Sequence, residues 1–112
     1  MLEKLLRYGA DVPAGLHRSM GNKTLYRSCL RLLAEDGPLG ELSLAVSASR
    51  WNDALVIADS TAGAASNLGL TRLARAAETL TDVLHRREAS GAAGAYAALL
   101  EEWELFRRAA GF

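Results

Sequence analysis

Between Leu70 and Leu84 the apolar residues Leu70, Leu73, Ala77, Leu80 and Leu84 step by three, four, three and four. That spacing sets all five on one narrow stripe of an α-helix, whereas in a strand it would scatter them over both faces. The last segment repeats it with Tyr96, Leu99, Trp103, Phe106 and Ala110. A helix with a single apolar seam needs other helices to bury that seam. No alternating strand pattern of useful length occurs, and there is no solenoid-length repeat. The expected fold class is therefore all-α, an antiparallel up-down helical bundle.

Glycine and proline punctuate the earlier segments. In a first short segment, Leu2 to Tyr8, Leu2, Leu5 and Leu6 fall on one side. Pro13 suits the first turn of a second, with Leu16 and Met20 expected to face inward. Asn22 is placed to cap a third, whose stripe is read as Leu25, Cys29, Leu32 and Leu33. Gly37-Pro38 interrupts it, because proline lacks a donor and disfavours helix at the residue before it. The pattern resumes at Leu39, Leu42, Ala45 and Val46, giving either one long kinked arm or two helices end to end. Ser49 is placed to cap the segment from Trp51 to Asn67, and Gly69 to end it.

The 112 residues suffice for one compact core, and half of them are hydrophobic. Thirteen basic residues balance thirteen acidic ones, so the one-sided field of a nucleic-acid binder is missing. No apolar run approaches a membrane span and the opening residues lack a signal-peptide layout, so a cytoplasmic protein is expected. The single cysteine, Cys29, excludes an internal disulfide and reads as a small apolar residue of its stripe. No Walker loop, zinc spacing or Ser-His-Asp pattern can be assembled, so neither a metal nor a cofactor is expected and the chain is not read as an enzyme.

Residues 58–69 read A-D-S-T-A-G-A-A-S-N-L-G. This run resembles the centre of histidine phosphotransfer (HPt) domains, where the pattern is A-H-[ST]-L-K-G-[AS]-A-x-N-[IL]-G. Ala58, Ser60, Gly63, Ala64, Ala65, Asn67, Leu68 and Gly69 match. Asp59 stands where the family has its phosphate-accepting histidine, Ala62 where it has a lysine, and Thr61 where it has a leucine. The resemblance extends over roughly Gly9 to Ala109. Upstream, G-A-D-V-P-A-G-L-H-R-S-M-G-N-K-T-L-Y is similar to the family's opening helix and Leu-Tyr pair. Trp51 matches a frequent tryptophan, and the Leu73–Leu84 stripe matches the following helix. The resemblance implies a four-helix bundle over residues 13–110, with residues 1–12 as an N-terminal extension or short helix.

It also implies a two-component signalling module without the phosphotransfer chemistry. An Asp59 carboxylate is a weak nucleophile and would give an acyl phosphate, with no second or third carboxylate one turn away to hold a metal. On a helix, Asp59, Ala62 and Gly63 share a face, with Leu55, Val56 and Ser66 adjoining. These six residues are the expected docking surface for a response-regulator receiver domain or a histidine kinase. Ala58, Thr61, Ala65 and Leu68 should point into the bundle, and the Thr61 hydroxyl can bond back to the carbonyl four residues earlier. Gly63 costs helix stability where it stands; close approach of a partner and drift in a former site are both explanations. Either Leu55 and Val56 form an exposed apolar patch, or packing buries one of them. Two other readings stand beside docking. One is an active phosphorelay protein using His17 or His85 instead, both read as surface residues. The other is a structural bundle that dimerises or tethers.

Overall fold

The computed structural model describes residues 2–35 and 38–112. They form α1 (Leu2–Tyr8), α2 (Val12–Arg18), α3 (Lys23–Glu35), α4 (Pro38–Ser47), α5 (Trp51–Asn67), α6 (Thr71–His85) and α7 (Ala89–Ala110). The fold is an all-α antiparallel bundle. α3 and α4 together make one arm, α5, α6 and α7 the other three, and turns of three residues join α4 to α5, α5 to α6 and α6 to α7. The expected interruption at Gly37 lies outside the described residues; on either side of it the chain is helical, to Glu35 and from Pro38. No described helix is long and apolar enough to cross a membrane.

The helices other than α3 stop in one recurring way. At the end of α5, the Leu70 amide donates to the Ala65 carbonyl (2.9 Å) and the Gly69 amide to the Ser66 carbonyl (3.1 Å), with Gly69 at φ +75°. This left-handed closure satisfies carbonyls that a helix end otherwise leaves bare. The same pair of bonds closes α2 around Met20 and α4 around Ser49, both at φ +55°. That geometry corrects two expectations. Met20 does not face inward: the turn that ends α2 throws it outward, 88% exposed. Ser49 does not cap α5 either. It closes α4, and Arg50 takes the N-cap position without a side-chain bond. Asn22 does cap α3, its Oδ1 accepting from the Leu25 amide at 3.1 Å.

The stripes of α6 and α7 are placed as their spacing demands. Leu70, Leu73, Ala77, Leu80, Leu84, Leu99, Phe106 and Ala110 are buried, and Tyr96 and Trp103 are half-buried. The stripe of α3 is rotated from the expected one. Tyr26, Leu30, Leu33 and Ala34 are buried, while Leu25 and Leu32 are exposed and Cys29 packs at the edge of the core. The helix carries apolar residues on more than half its circumference, and the tyrosine decides which part turns inward. Tyr26 donates its hydroxyl to the Leu68 carbonyl at 2.7 Å, a bond reachable only from inside. In α1, Leu5 is buried but Leu6 points to solvent, and Tyr8 takes the second inward position. Tyr8 donates to the Glu102 carbonyl (3.2 Å) and carboxylate (3.1 Å), and Arg72 bonds both the Tyr8 carbonyl and Glu102. α1 is thereby tied to α6 and α7.

Gly15 of α2 sits over the end of α5. A Cβ there would run into the Leu68 carbonyl and the Tyr26 ring. Most helical glycines gain about 1 kcal/mol on becoming alanine. Gly15→Ala should instead lose about 1–3 kcal/mol to overpacking, measurable by urea denaturation. The tyrosines predict a second response. The Tyr8 hydroxyl is pushed above its ordinary pKa, first by burial, then by the charge of Glu102 and the bond to it, against a smaller opposing pull from Arg72. Tyr26 is raised by burial and then by Asp11. A folded pKa above the unfolded value, about 10, leaves stability intact below that pH and erodes it as pH rises beyond. Stability should therefore fall above about pH 10, and the fall should be shallower in Tyr8→Phe.

Candidate functional site

α5 has two faces of opposite character. Ala54, Ala58, Thr61, Ala62 and Ala65 form a buried stripe. Residues four, seven, eight and eleven positions apart keep to one side of a helix. Their small side chains let neighbouring helices come close, and α6 supplies the larger leucines opposite. Thr61 makes its expected bond, donating from Oγ1 to the Ile57 carbonyl at 2.8 Å. The other face, with Val56, Asp59, Ser60, Gly63 and Ser66, is exposed.

Four of the six grouped residues thus stand together in solvent: Val56, Asp59, Gly63 and Ser66. Ala62 does not; it is 7% exposed and belongs to the core. Ala62 is three positions from Asp59, but also four from Ala58 and three from Ala65, so it lies on the border of the two faces. The bundle closes over that border. Leu55 is half-buried and packs on the core, while Val56 is 70% exposed. Packing therefore takes one of the apolar pair and leaves the other out.

Asp59 is exposed and, among the described residues, its carboxylate makes no hydrogen bond or ion pair. Asp53 lies six positions earlier and pairs with Arg50 at 3.5 Å. Among the described residues, no three His, Cys, Asp or Glu side chains gather where they could hold a metal ion. His17, in α2, and His85, the last residue of α6, are both exposed. α2 is fastened to the end of α5, with Arg18 bonding the Ser66 carbonyl at 2.6 Å. The α6–α7 turn lies against the start of α5, where Arg87 shares a hollow with Ser49–Asp53. Asp59 is mid-helix, eight residues or about 12 Å along the axis from either end. The two histidines accordingly flank opposite ends of α5 and neither belongs to its open face.

The sequence profile of the Hpt domain matches residues 17–109, from the end of α2 through nearly all of α7. The chain belongs to the Hpt domain family. Hpt domains serve two-component phosphorelays, where they interact with histidine kinases and receiver domains. No curated protein and no solved structure matches this Hpt domain. Its all-helical bundle and its central A-x-S-x-x-G-A-A-x-N-L-G run agree with one another: Ala58 and Ala65 of the run line the core, Ala64 is exposed, and the Asn-Leu-Gly forms the closing turn.

One surface residue of this Hpt domain escaped the sequence reading. Leu44 of α4 is 66% exposed and borders the same cleft as Val56. A signal was present. Leu39, Leu42, Leu44, Ala45 and Val46 are more apolar residues than one face of a short helix can bury, and Leu44 is the one out of phase.

An added Cβ at Gly63 would meet nothing within 4 Å. The same holds at Gly40 and Gly94, so openness alone does not mark a site. Gly63 differs in lying one turn beyond Asp59 on the open face of the central helix. Nothing inside the chain requires glycine there, and Gly63→Ala should raise stability by about 1 kcal/mol, the opposite sign to Gly15→Ala in the same denaturation assay.

Proposed function

We propose that this Hpt domain is a non-phosphorylating signalling module of the cytoplasm. It docks a receiver domain, or the core of a histidine kinase, through the open face of α5. The observation that carries this reading is the pairing on that face of a carboxylate, Asp59, at the resemblance's histidine position with an unobstructed helical glycine, Gly63. The first removes the nucleophile. The second preserves a place where another backbone can approach, at a cost in helix stability that the chain does not recover internally.

The rest of the face fits the same role. Ala62 offers no cation to a phosphoryl group, and its burial leaves it no part in docking. Val56 contributes apolar surface, and Asp59, Ser60 and Ser66 a polar surround, the arrangement usual at protein interfaces. Asp59 adds negative charge opposite an acidic receiver pocket, so docking should be stronger when that pocket holds its Mg²⁺. Occupying the receiver without accepting its phosphate would block or titrate it.

The test uses purified receiver domains and kinase cores from the source cell, unphosphorylated and phosphorylated. Wild-type protein should bind at least one of them and take up no acid-labile, base-stable label. Gly63→Arg should abolish that binding while the far-UV circular dichroism stays unchanged. Label on His17 or His85 would sink the non-phosphorylating reading, and unchanged affinity in Gly63→Arg would sink the proposed surface.

A further inference from the structure

A hollow of about 800 Å³ opens between α1, α3 and the end of α7. No residue of α5 lines it, so it is separate from the open face. Thr24, Arg27, Ser28, Arg31, Leu32 and Glu35 recur at steps of three and four, so one side of α3 forms its long wall. That side is left outward when Tyr26, Leu30, Leu33 and Ala34 turn to the core. Lys4 of α1 and residues 109–112 complete the hollow. Gly111, at φ +84°, turns the chain back after α7, and the Phe112 amide donates to the Arg107 carbonyl at 2.9 Å. Phe112 thereby comes against α3, where the Arg31 guanidinium lies 5.3 Å from the centre of its ring.

We propose that this hollow binds a small organic anion, a phosphate monoester carried on an apolar body. On this assignment Lys4, Arg27, Thr24 and Ser28 take the phosphate, and Leu32 and Phe112 take the body. The site does not depend on the docking reading above. Three observations support it.

The first is charge. Lys4, Arg27 and Arg31 line the hollow with one acidic side chain, Glu35, which stands 4.0 Å from Arg31. With that pair set aside, Lys4 and Arg27 remain. A carboxylate on Phe112, in a chain that ends there, still leaves the cations in excess. The whole chain is neutral, so the excess is local, and cations on one concave surface add their fields. The second is the donors. Among the described residues, the Lys4 ammonium, the Arg27 guanidinium and the Thr24 and Ser28 hydroxyls make no ion pair or hydrogen bond within the chain. Arg27 and Ser28 follow Thr24 by three and four positions, so the three share a face of one turn. A phosphate monoester offers three acceptor oxygens and a charge of about −1.5 to −2 at neutral pH, which answers two cations and two hydroxyls better than a carboxylate does. The third is the apolar part. Leu32, 66% exposed, and the half-buried Phe112 line the same hollow. Its volume lies within the roughly 300–1,000 Å³ of small-molecule sites, far more than a bare phosphate fills.

The experiment titrates the protein with phenyl phosphate, phenol and inorganic phosphate, following backbone amide resonances. Phenyl phosphate should give saturable shifts in α1, α3 and the end of α7, with the open face of α5 unmoved. It should bind at least fivefold more tightly than phenol or inorganic phosphate. Arg27→Gln and Lys4→Gln should each weaken it at least fivefold, with circular dichroism unchanged because both side chains are exposed. Leu32→Asn should weaken phenyl phosphate several-fold and leave inorganic phosphate as it was. Arg86→Gln removes the same charge outside the hollow and should change nothing. Phenyl phosphate shifts that never saturate, or that survive in both Arg27→Gln and Lys4→Gln, overturn the site. An equal loss in Arg86→Gln overturns it in favour of diffuse attraction to the whole surface. Inorganic phosphate or phenol binding as tightly as phenyl phosphate overturns the ligand class. None of these outcomes bears on receiver docking, which Gly63→Arg tests by itself.

Discussion

The carbonyl groups at the end of α5 hold this structure together. A helix leaves its last carbonyls unpaired, and burying them unpaired would be costly. Here the closing turn and three more distant segments share in satisfying them. The closing turn supplies the amides of Leu68, Gly69 and Leu70. Arg18 of α2 reaches the Ser66 carbonyl, and Tyr26 of α3 reaches that of Leu68. The Asp11 amide, just before α2, donates to the Gly69 carbonyl at 2.7 Å. One helix terminus thus fixes the positions of α2, α3 and α6 relative to α5. It also explains two glycines at once. A Cβ at Gly69 would strike the Asp11 carbonyl, and one at Gly15 the Leu68 carbonyl.

Much of the fold was legible because helical period and core-facing stripe coincide. That holds for α6 and α7, and for the inward side of α5, where Ala58, Thr61, Ala65 and Leu68 all lie as spacing requires. Legibility fails where a helix has more apolar residues than one face can hold. In α3, period alone does not choose between the Leu25–Leu32 side and the Tyr26–Leu33 side; a long-range hydroxyl bond does. It fails again at helix ends, where Met20 and Ser49 adopt a conformation that favours glycine and their types give no warning. At the site, Asp59, Gly63, Val56 and Ser66 were readable from helical geometry. Ala62 was not, because its burial depends on how far neighbouring helices close over the border of a face.

The bundle divides labour on a single helix. The side of α5 that faces inward is almost wholly alanine, with Thr61 returning its one hydroxyl to the backbone. The side that faces outward makes few contacts with the rest of the chain. The residues of the core stripe and those of the open face thus sit about half a turn apart. The outer side can therefore change its chemistry while the inner side keeps the packing that sets the architecture.

The identity of residue 59 has a kinetic consequence. A histidine there would titrate near neutral pH and would change state on every transfer, so a partner could be released because the reaction was over. An aspartate there offers no imidazole nucleophile for that transfer. On the docking reading proposed above, a complex formed on this face would have no phosphotransfer event to end it. Its lifetime would then be set by the dissociation rate, and its control would lie in the amount of module present and the form of the partner that it meets.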